Sequence, residues 1–342
     1  MGKGRARQAA RRGRMGMREE ALKLHMEALV CDCHSDSLLR VLEKGADLNS
    51  RSEEGHLDFP RMREGGVDLE VFACWVDPKL PEERYVKQAL RIMDAFFRQV
   101  EGSDGLVVHA LKAEDIRRAK SEGKIAAVLA VEGGHAISNS LEVLRIYHRL
   151  GVRLMTLTWN NSIEWADSAV QPRENGGLTD FGRQVVEEMN RLGMIVDISH
   201  VSDRVFWDAL EISSKPIIAS HSCARALCDH PRNLTDEMIK ALAEKGGVVF
   251  VNFYPKYLCP QGSEVTVERV VDHIQHIAEL VGADQVGLGS DFDGLPALPK
   301  GIEDCSKMPV ITELLMERGF SKEEIEKILG GNFLRVFEEV VG

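Results

Sequence analysis

The chain alternates between short apolar runs and longer amphipathic stretches, with polar loops between them. Eight apolar runs are rich in Val, Ile, Leu and Ala and have the length of strands: 28–36, 68–76, 125–134, 153–160, 194–200, 216–222, 247–253 and 285–294. Runs that are apolar on both faces are typical of buried parallel strands. The pattern therefore predicts eight parallel strands.

Amphipathic stretches between these runs predict helices, for example over 141–150, 180–192, 236–245 and 266–281. Helix-capping residues support this: Thr179 precedes one predicted helix, and Ser321 with Glu324 forms a capping box before another. Eight strand-then-helix units predict an α/β fold, a distorted (β/α)8 TIM-like barrel with a C-terminal helical extension. A doubly wound open sheet is the alternative, but no Gly-x-Gly-x-x-Gly turn follows any predicted strand.

Charge and cysteine content indicate which partners and which cellular compartment are expected. The 342 residues contain 43 Lys and Arg against 54 Asp and Glu, and the net charge of −11 disfavours nucleic acid as a partner. No apolar stretch approaches the roughly 18 residues that cross a bilayer, so no membrane partner is expected. The seven cysteines are scattered and form no Cys-x-x-Cys pair. This usage is typical of a reducing compartment, and we expect a cytoplasmic protein.

The first 18 residues differ from the rest of the chain in charge. They carry seven Lys or Arg and no acidic residue, and no apolar core of a signal peptide follows them. We expect residues 1–18 to be a disordered basic tail and residues 19–342 to form a single barrel domain. A start codon set upstream of the true one, or a weak contact with a polyanion, are the alternatives for this segment.

Acidic and histidine residues stand at the carboxyl ends of five predicted strands. They are, in chain order, Asp32, His34, Asp36, Glu132, Asp197, His200, His221, Asp291 and Asp293. In a barrel these ends meet at one mouth, where the catalytic residues of this architecture lie. Strict alternation places Asp32, His34 and Asp36 on one face of the first strand and turns Cys31 and Cys33 outward toward the helices.

Such a cluster favours metal binding. Carboxylates in a sheltered site repel one another unless protons or cations neutralise them. Imidazole nitrogens mixed with carboxylate oxygens suit Zn²⁺ or another divalent transition metal. Candidate ligands on five strand ends indicate two metal ions that share a bridging carboxylate, which is a known hydrolytic arrangement.

Seven short motifs, occurring in family order over about residues 28–337, resemble the membrane (renal-type) dipeptidase family, peptidase family M19, within the metal-dependent hydrolase superfamily. The motifs are Asp32-Cys33-His34-Ser35-Asp36, Val131-Glu132-Gly133-Gly134, Asp197-Ile198-Ser199-His200, Ser220-His221-Ser222, His230-Pro231-Arg232-Asn233, Gly289-Ser290-Asp291-Phe292-Asp293-Gly294 and Gly330-Gly331-Asn332-Phe333. Any one of them alone is a weak signal, whereas the ordered set is a strong one.

The resemblance implies a ligand role for five residues. His34 and Asp36 would hold one zinc ion, His200 and His221 would hold the other, and Glu132 would bridge both. A hydroxide shared by the two ions would be the nucleophile, its pKa lowered by both cations. The resemblance thus implies two Zn²⁺ per subunit, with Mn²⁺ or Co²⁺ as alternatives.

The resemblance also implies residues that would bind the substrate or transfer its protons. By resemblance, Asp291 would be the acid/base group, and Arg232 would bind the terminal carboxylate of the substrate, which a guanidinium fork suits. Family members of the renal type carry a substrate-binding His after the fourth strand, where this chain has Trp159. We expect Trp159 and Asn161 to contact substrate, with Asn160 or Asn161 donating in place of the missing His; a simple turn is the alternative for this Asn pair.

The expected function is a zinc-dependent dipeptidase that cleaves the peptide bond of dipeptides, including those with a C-terminal D-residue. The resemblance also implies a homodimer. One alternative is an amidohydrolase or lactonase that uses the same metals on a small non-peptide substrate. Another is a metal-holding barrel that serves as a binding or scaffold protein, which the acid/base residue Asp291 disfavours.

Overall fold

The computed structural model describes residues 2–173, 176–259 and 264–342, with side chains from residue 15 onward. Within these ranges it has nine strands: Cys31–Ser35 (β1), Leu69–Trp75 (β2), Val107–His109 (β3), Ile125–Glu132 (β4), Val152–Thr156 (β5), Ile195–Asp197 (β6), Ile218–Ala219 (β7), Val248–Val251 (β8) and Val286–Leu288 (β9). Every predicted apolar run overlaps one of them, and β3 was not predicted.

The strands form one parallel sheet in the order β1-β2-β4-β5-β6-β7-β8-β9. The chain after β9 then returns to β1: Asp36 N donates to Phe292 O at 2.9 Å, and Asp291 N donates to His34 O at 3.0 Å. These bonds join the first strand to the last. The structure is a nearly closed eight-stranded α/β barrel, and this confirms the predicted fold class.

The additional strand β3 lies beside the first half of β4. Val107 pairs with Ile125 and His109 with Ala127, whereas β5 pairs with β4 only from Leu129 onward. β3 and β5 therefore share one edge of β4. A strand of three residues is too short to be recognised as an apolar run, which is why the sequence pattern missed it.

Helices surround the barrel and extend it at the C-terminus. They are Gly2–Glu27 (α1), Ser37–Lys44 (α2), Phe59–Glu64 (α3), Tyr85–Glu101 (α4), Ala113–Ser121 (α5), Leu141–Arg149 (α6), Asp180–Leu192 (α7), Asp203–Ile212 (α8), Asp236–Glu244 (α9), Pro255–Leu258 (α10), Val267–Val281 (α11), Pro309–Glu317 (α12), Lys322–Glu326 (α13) and Asn332–Val340 (α14). Both predicted caps are present: the Thr179 hydroxyl accepts from Gly182 N, and Ser321 and Glu324 form the capping box.

The N-terminal segment forms helix α1, and the predicted disorder of residues 1–18 stays a prediction. α1 begins at Gly2, and its sequence is rich in the helix formers Arg and Ala and contains no Pro. Its last turns are fixed to the barrel domain by His25, whose Nδ1 lies 2.7 Å from Thr312 Oγ1 and whose Nε2 lies 2.8 Å from Gly65 O. Although α1 is 26 residues long, neither it nor any other described helix is apolar enough to span a membrane. The domain limits at residues 18 and 19 stay a prediction.

Side chains that alternate along the strands form two buried apolar layers, one inside the barrel and one under the helices. The inner layer contains Leu69 and Val71 of β2 and Phe250 of β8, and Phe333 of α14 packs onto Phe250 with ring centroids 5.9 Å apart. Gly287 belongs to this inner face: a Cβ there would lie 2.5 Å from Phe250 Cδ1 and 2.6 Å from Phe250 Cε1. Glycine in β9 thus makes room for the Phe250 ring.

The first strand does not alternate strictly, so one prediction was wrong. Asp32 pairs with Glu70, but the next pair is Ser35 with Phe72, so β1 has a bulge of one extra residue. Cys31 and Cys33 belong to the inner layer and do not face the helices. Asp32 is buried on the other face, where its carboxylate accepts from Ser290 N at 2.7 Å. The bulge is what turns His34 to the same side as Cys33.

Candidate active site

The structure brings six of the predicted residues together at the carboxyl ends of the strands. His34 lies near the end of β1 and Asp36 follows it, Glu132 ends β4, His200 and His221 follow β6 and β7, and Asp291 follows β9. All six are buried. Residues separated by more than 250 positions in the sequence therefore share one sheltered cluster.

Glu132 lies at the centre of the cluster, and its two oxygens face different histidines. Oε1 is 2.9 Å from His200 Nε2 and 3.6 Å from His221 Nε2, whereas Oε2 is 3.7 Å from His34 Nε2. Ligand atoms of His34, Asp36 and Asp291 form a second group in which all lie within 4.8 Å of one another. The carboxylate of Glu132 is thus placed between two potential ligand groups.

Hydrogen bonds from neighbouring residues fix the tautomers of two histidines. His200 Nδ1 lies 2.9 Å from Asn160 Oδ1, which can only accept. His221 Nδ1 lies 2.8 Å from Ser220 Oγ, and that hydroxyl donates to Asp197 Oδ2 at 2.6 Å. Each Nδ1 therefore carries the proton, and each Nε2 presents a lone pair.

These two lone pairs converge, since the Nε2 atoms of His200 and His221 are only 2.8 Å apart. Without a proton between them they repel, and a cation placed near both relieves the repulsion. Both ring nitrogens of His34, Asp36 Oδ1 and Glu132 Oε2 are also buried without a hydrogen-bond partner among the described residues. Nitrogen and carboxylate-oxygen atoms that lack partners fit a divalent metal ion.

The electrostatics indicate that the cluster lacks positive charge. Burial raises the pKa of Asp36 well above its ordinary value and that of Asp291 to about 7. Burial lowers the pKa of His200 to about 4. For His34 burial also acts to lower the pKa, but the charges of Glu132, Asp36 and Asp291 outweigh it and raise the pKa to about 10. A bound cation would supply the charge that a proton on His34 otherwise supplies.

The backbone at the mouth is strained. His200, Asp291 and Asp293 have φ values of +69°, +64° and +66°, in the left-handed region that residues other than glycine rarely adopt. Asp293 is held by Ser37 Oγ at 2.6 Å and Arg40 Nη1 at 3.0 Å. These bonds keep the turn after β9 in the conformation that points Asp291 into the cluster.

A cavity of about 330 Å³ opens onto the cluster. Its walls include Asp36, Glu132, His200 and Asp291 together with Leu39, Trp75, Trp159, Asn160, Tyr254, Tyr257, Asp293, Gly294, Leu295 and Pro296. The volume is at the small end of ligand sites, which suits a small substrate.

Arg232 is not one of the residues that line this cavity; it lies next to the lining residue Tyr257 and beside His221. It is buried, with Nη2 donating to His221 O at 3.3 Å and Nη1 to Ser222 Oγ at 3.4 Å. The guanidinium carbon lies 5.4 Å from the ring centroid of Tyr257, and Nε has no partner among the described residues. Arg232 is therefore fixed in place and retains a free donor.

Two asparagines near the site were not identified from the sequence alone: Asn160 was one of two alternatives, and Asn252 was not considered. Trp159 and Asn160 line the cavity; of the two asparagines considered as donors, Asn160 is the partner of His200, and Asn161 is not among the lining residues. Asn252 was missed: its Nδ2 donates to Asp291 Oδ2 at 3.0 Å. The signal was present, since Asn252 is a polar residue at the carboxyl end of a predicted apolar run.

A nearly closed α/β barrel with histidines and carboxylates gathered at its strand ends defines the class of TIM-like barrel hydrolases. Residues 18–341 match the sequence profile of the membrane dipeptidase family, peptidase family M19. The chain belongs to this family, as the motifs in its sequence predicted.

Named relatives agree with the family. The chain is 39% identical over 295 residues to dipeptidase tcpJ of Claviceps purpurea (strain 20.1), covering 84% of this chain and 69% of that protein. It is 37% identical to dipeptidase 3 of Mus musculus, covering 95% of this chain and 67% of that protein.

A crystal structure shares the fold over nearly its whole length. It is a metallo peptidase from Rhodobacter sphaeroides, liganded with a phosphinate mimic of the dipeptide L-Ala-D-Ala, with a TM-score of 0.86 and 29% identity. The match covers 92% of this chain and 99% of that chain. The chain is thus a hydrolase of the dipeptidase family on a TIM-like barrel.

Proposed function

We propose that this chain is a binuclear metallo-dipeptidase that hydrolyses the single peptide bond of dipeptides. The convergence of the Nε2 atoms of His200 and His221, 2.8 Å apart beside Glu132 Oε1, is the observation that carries the proposal. Two lone pairs and a carboxylate oxygen at one point have no use in a purely structural cluster, whereas they are ordinary ligands for a divalent ion.

Five residues would hold the metal ions. His34 and Asp36 would hold one ion, His200 and His221 the other, and Glu132 would be shared by both. The nitrogen-rich donor set favours Zn²⁺, with Mn²⁺ or Co²⁺ as alternatives. When bound, such ions supply electrophilic activation of the scissile carbonyl and of the attacking water.

Asp291 would transfer the proton. Its carboxyl group lies inside the cluster, with an oxygen within 4.8 Å of the ligand atoms of His34 and Asp36, which places it within reach of a water and a leaving group bound there. Asn252 Nδ2 holds Oδ2 at 3.0 Å, so Oδ1 is the atom that would receive the proton from water and deliver it to the leaving amine.

Arg232 would bind the terminal carboxylate of the substrate. Its guanidinium is already oriented by His221 O and Ser222 Oγ and packed over Tyr257, so little conformational entropy is lost on binding. A carboxylate bound at a fixed distance from the metal ligands would restrict the enzyme to dipeptides. We further propose that Trp159 contacts substrate directly and that Asn161 contributes to the same loop.

The acceptance of D-residues, the oligomeric state and the cellular location are each proposed from a single observation. Acceptance of a C-terminal D-residue is supported by the L-Ala-D-Ala mimic bound to the Rhodobacter sphaeroides relative. A cytoplasmic location is supported by seven cysteines that are all free and buried. The homodimer rests on family resemblance, and sedimentation of the purified protein would test it.

Turnover and metal content measured together test the proposal. Protein stripped with a chelator and reconstituted with Zn²⁺, Mn²⁺ or Co²⁺ would be assayed on L,L- and L,D-dipeptides, a tripeptide, lactones and N-acyl amino acids. We expect metal-dependent cleavage of dipeptides only, with two ions bound per chain. Asp291→Asn should abolish turnover and retain the metal, and Arg232→Ala should raise KM far more than it lowers kcat. Turnover of lactones or N-acyl amino acids in preference to dipeptides would contradict the proposal.

A further inference from the structure

Two aromatic surfaces line opposite sides of the cavity. Trp75 and Trp159 form one surface, with their rings in an edge-to-face contact at 5.0 Å between centroids. Tyr254 and Tyr257 form the other, also edge to face, at 4.8 Å. We call these surfaces the tryptophan wall and the tyrosine wall. All four residues border the cavity.

The strand order places these walls across the barrel from each other. Trp75 ends β2 and pairs with Glu132 of β4, and Trp159 follows β5, so the tryptophan wall is centred on β4. The tyrosine wall follows β8, which stands four strands from β4 in either direction around the closed ring. Arg232 packs on the tyrosine wall, through the ring of Tyr257. The two walls therefore face opposite ends of a molecule that occupies the cavity.

An unpartnered donor in the tryptophan wall indicates that this wall receives a ligand. The indole N–H of Trp75 is buried and has no hydrogen-bond partner among the described residues. Buried donors are nearly always paired in folded proteins. Trp75 is the direct neighbour of Glu132 across the strands and borders the cavity, so this wall lies beside the cluster.

We propose that the tryptophan wall is the recognition surface for the side chain of the N-terminal residue of the dipeptide, and that it selects apolar and aromatic side chains over acidic ones. The inference rests on the proposed dipeptidase function and on Arg232 as the carboxylate-binding residue. If the carboxylate end of the substrate lies at the tyrosine wall, the N-terminal residue lies at the tryptophan wall.

The chemistry of the wall sets the direction of the preference. Two indole faces offer a large apolar surface, on which flat aromatic or branched aliphatic side chains pack well. An acidic side chain would lose hydration there and would face the negative π surface of the rings. Such a side chain is therefore rejected mainly by the cost of its desolvation.

Two series of dipeptides test the inference on the metal-loaded enzyme. In the first, X-Gly, the N-terminal residue is Phe, Leu, Ala or Glu; in the second, Gly-X, the same residues stand at the C-terminus. We expect kcat/KM for Phe-Gly to exceed that for Glu-Gly by about tenfold or more, the size that one good aromatic contact supplies. The Gly-X series should show a much smaller spread.

Variants of Trp159 assign the preference to the wall. Trp159→Ala should reduce the ratio of kcat/KM between Phe-Gly and Glu-Gly by about fivefold, and Trp159→Phe should largely preserve that ratio. Trp207 is a matched control, because it is a half-exposed tryptophan on α8 and is not part of the cavity wall. Trp207→Ala should leave the ratio and the absolute rates unchanged.

The outcomes separate this inference from the proposed function. If the wild-type enzyme hydrolyses no dipeptide, the proposed function fails and this inference fails with it. If dipeptides are hydrolysed but the preference follows the C-terminal residue, or Trp159→Ala leaves the Phe-Gly to Glu-Gly ratio unchanged, only the assignment of the tryptophan wall is overturned. The comparison of the two wild-type series decides the matter even if Trp159→Ala does not fold.

Discussion

Gly294 is the position at which a single methyl group tests the geometry of the proposed metal site. A Cβ added there would lie 2.2 Å from Asp36 Oδ2 and 2.4 Å from Asp291 Oδ1, whereas ordinary contacts begin at 3.4 Å. Gly294 is not among the residues with positive φ, so Gly294→Ala introduces a steric clash without backbone strain. One or both carboxylates must then move by about 1 Å in a close-packed region.

That displacement has two separable costs. Overpacking a buried site lowers the free energy of unfolding by about 1–3 kcal/mol, which a stable domain tolerates. A misplacement of about 1 Å at the reacting groups costs about 100-fold in rate. Because Asp36 is also a proposed ligand, the affinity for the first metal ion should fall together with kcat/KM.

The assay combines dipeptide turnover, metal content by elemental analysis and thermal unfolding. Gly16→Ala is the matched control, since a Cβ at Gly16 has nothing within 4 Å, and this variant should behave as wild type. Full activity and two bound ions in Gly294→Ala would refute the reasoning, because the carboxylates would then tolerate displacement.

Three further results are expected. Ser220→Ala removes the hydroxyl that accepts the hydrogen bond from His221 Nδ1–H, and should weaken metal binding about 10- to 100-fold. Competition with a chelating dye would measure the metal affinity. An unchanged affinity would show that Ser220 does not orient the His221 ring. Removal of metal should lower the thermal midpoint, since Asp36, Glu132 and Asp291 are left to repel one another; an identical midpoint with chelator would contradict the metal assignment. Burial lowers the pKa of His25 in the folded protein to about 4, below the value of about 6.5 in the unfolded chain. Between pH 6.5 and 4 the unfolded chain therefore binds more protons than the folded protein. The free energy of unfolding should fall as the pH drops through this range. His25→Gln should show a weaker loss of stability over this range in urea titrations than wild type, and an unchanged pH slope would argue against His25 as its source.

Residues whose chemistry is unusual for their position were predictable from the sequence. Histidines and acids at the ends of apolar runs identified His34, Glu132, His200, His221 and Asp291, because such groups are costly in a strand unless they share a site. The barrel followed from eight repetitions of one local pattern. Both inferences use information that is contained within short segments of the chain.

Features that depend on the pairing of distant segments were not predictable in this way. The bulge in β1 arises from its register with β2, so nothing in the local sequence shows that Cys33 and His34 share a side. The choice of Asn160 over Asn161 depends on where His200 lies, and the role of Asn252 depends on Asp291. The short strand β3 exists because half of one edge of β4 is left uncovered by β5.

The bulge in β1 also affects how the proposed metal site can be lost in evolution. Because the strand carries one residue more than its partner between Asp32 and Ser35, the loss of a single codon there would restore regular pairing and keep the barrel intact. If the lost residue were His34 itself, Cys33 would stand opposite the inward-facing Val71, and the mouth would lack this ligand. A descendant of this protein could therefore lose the proposed metal site through one deletion and still fold as a barrel.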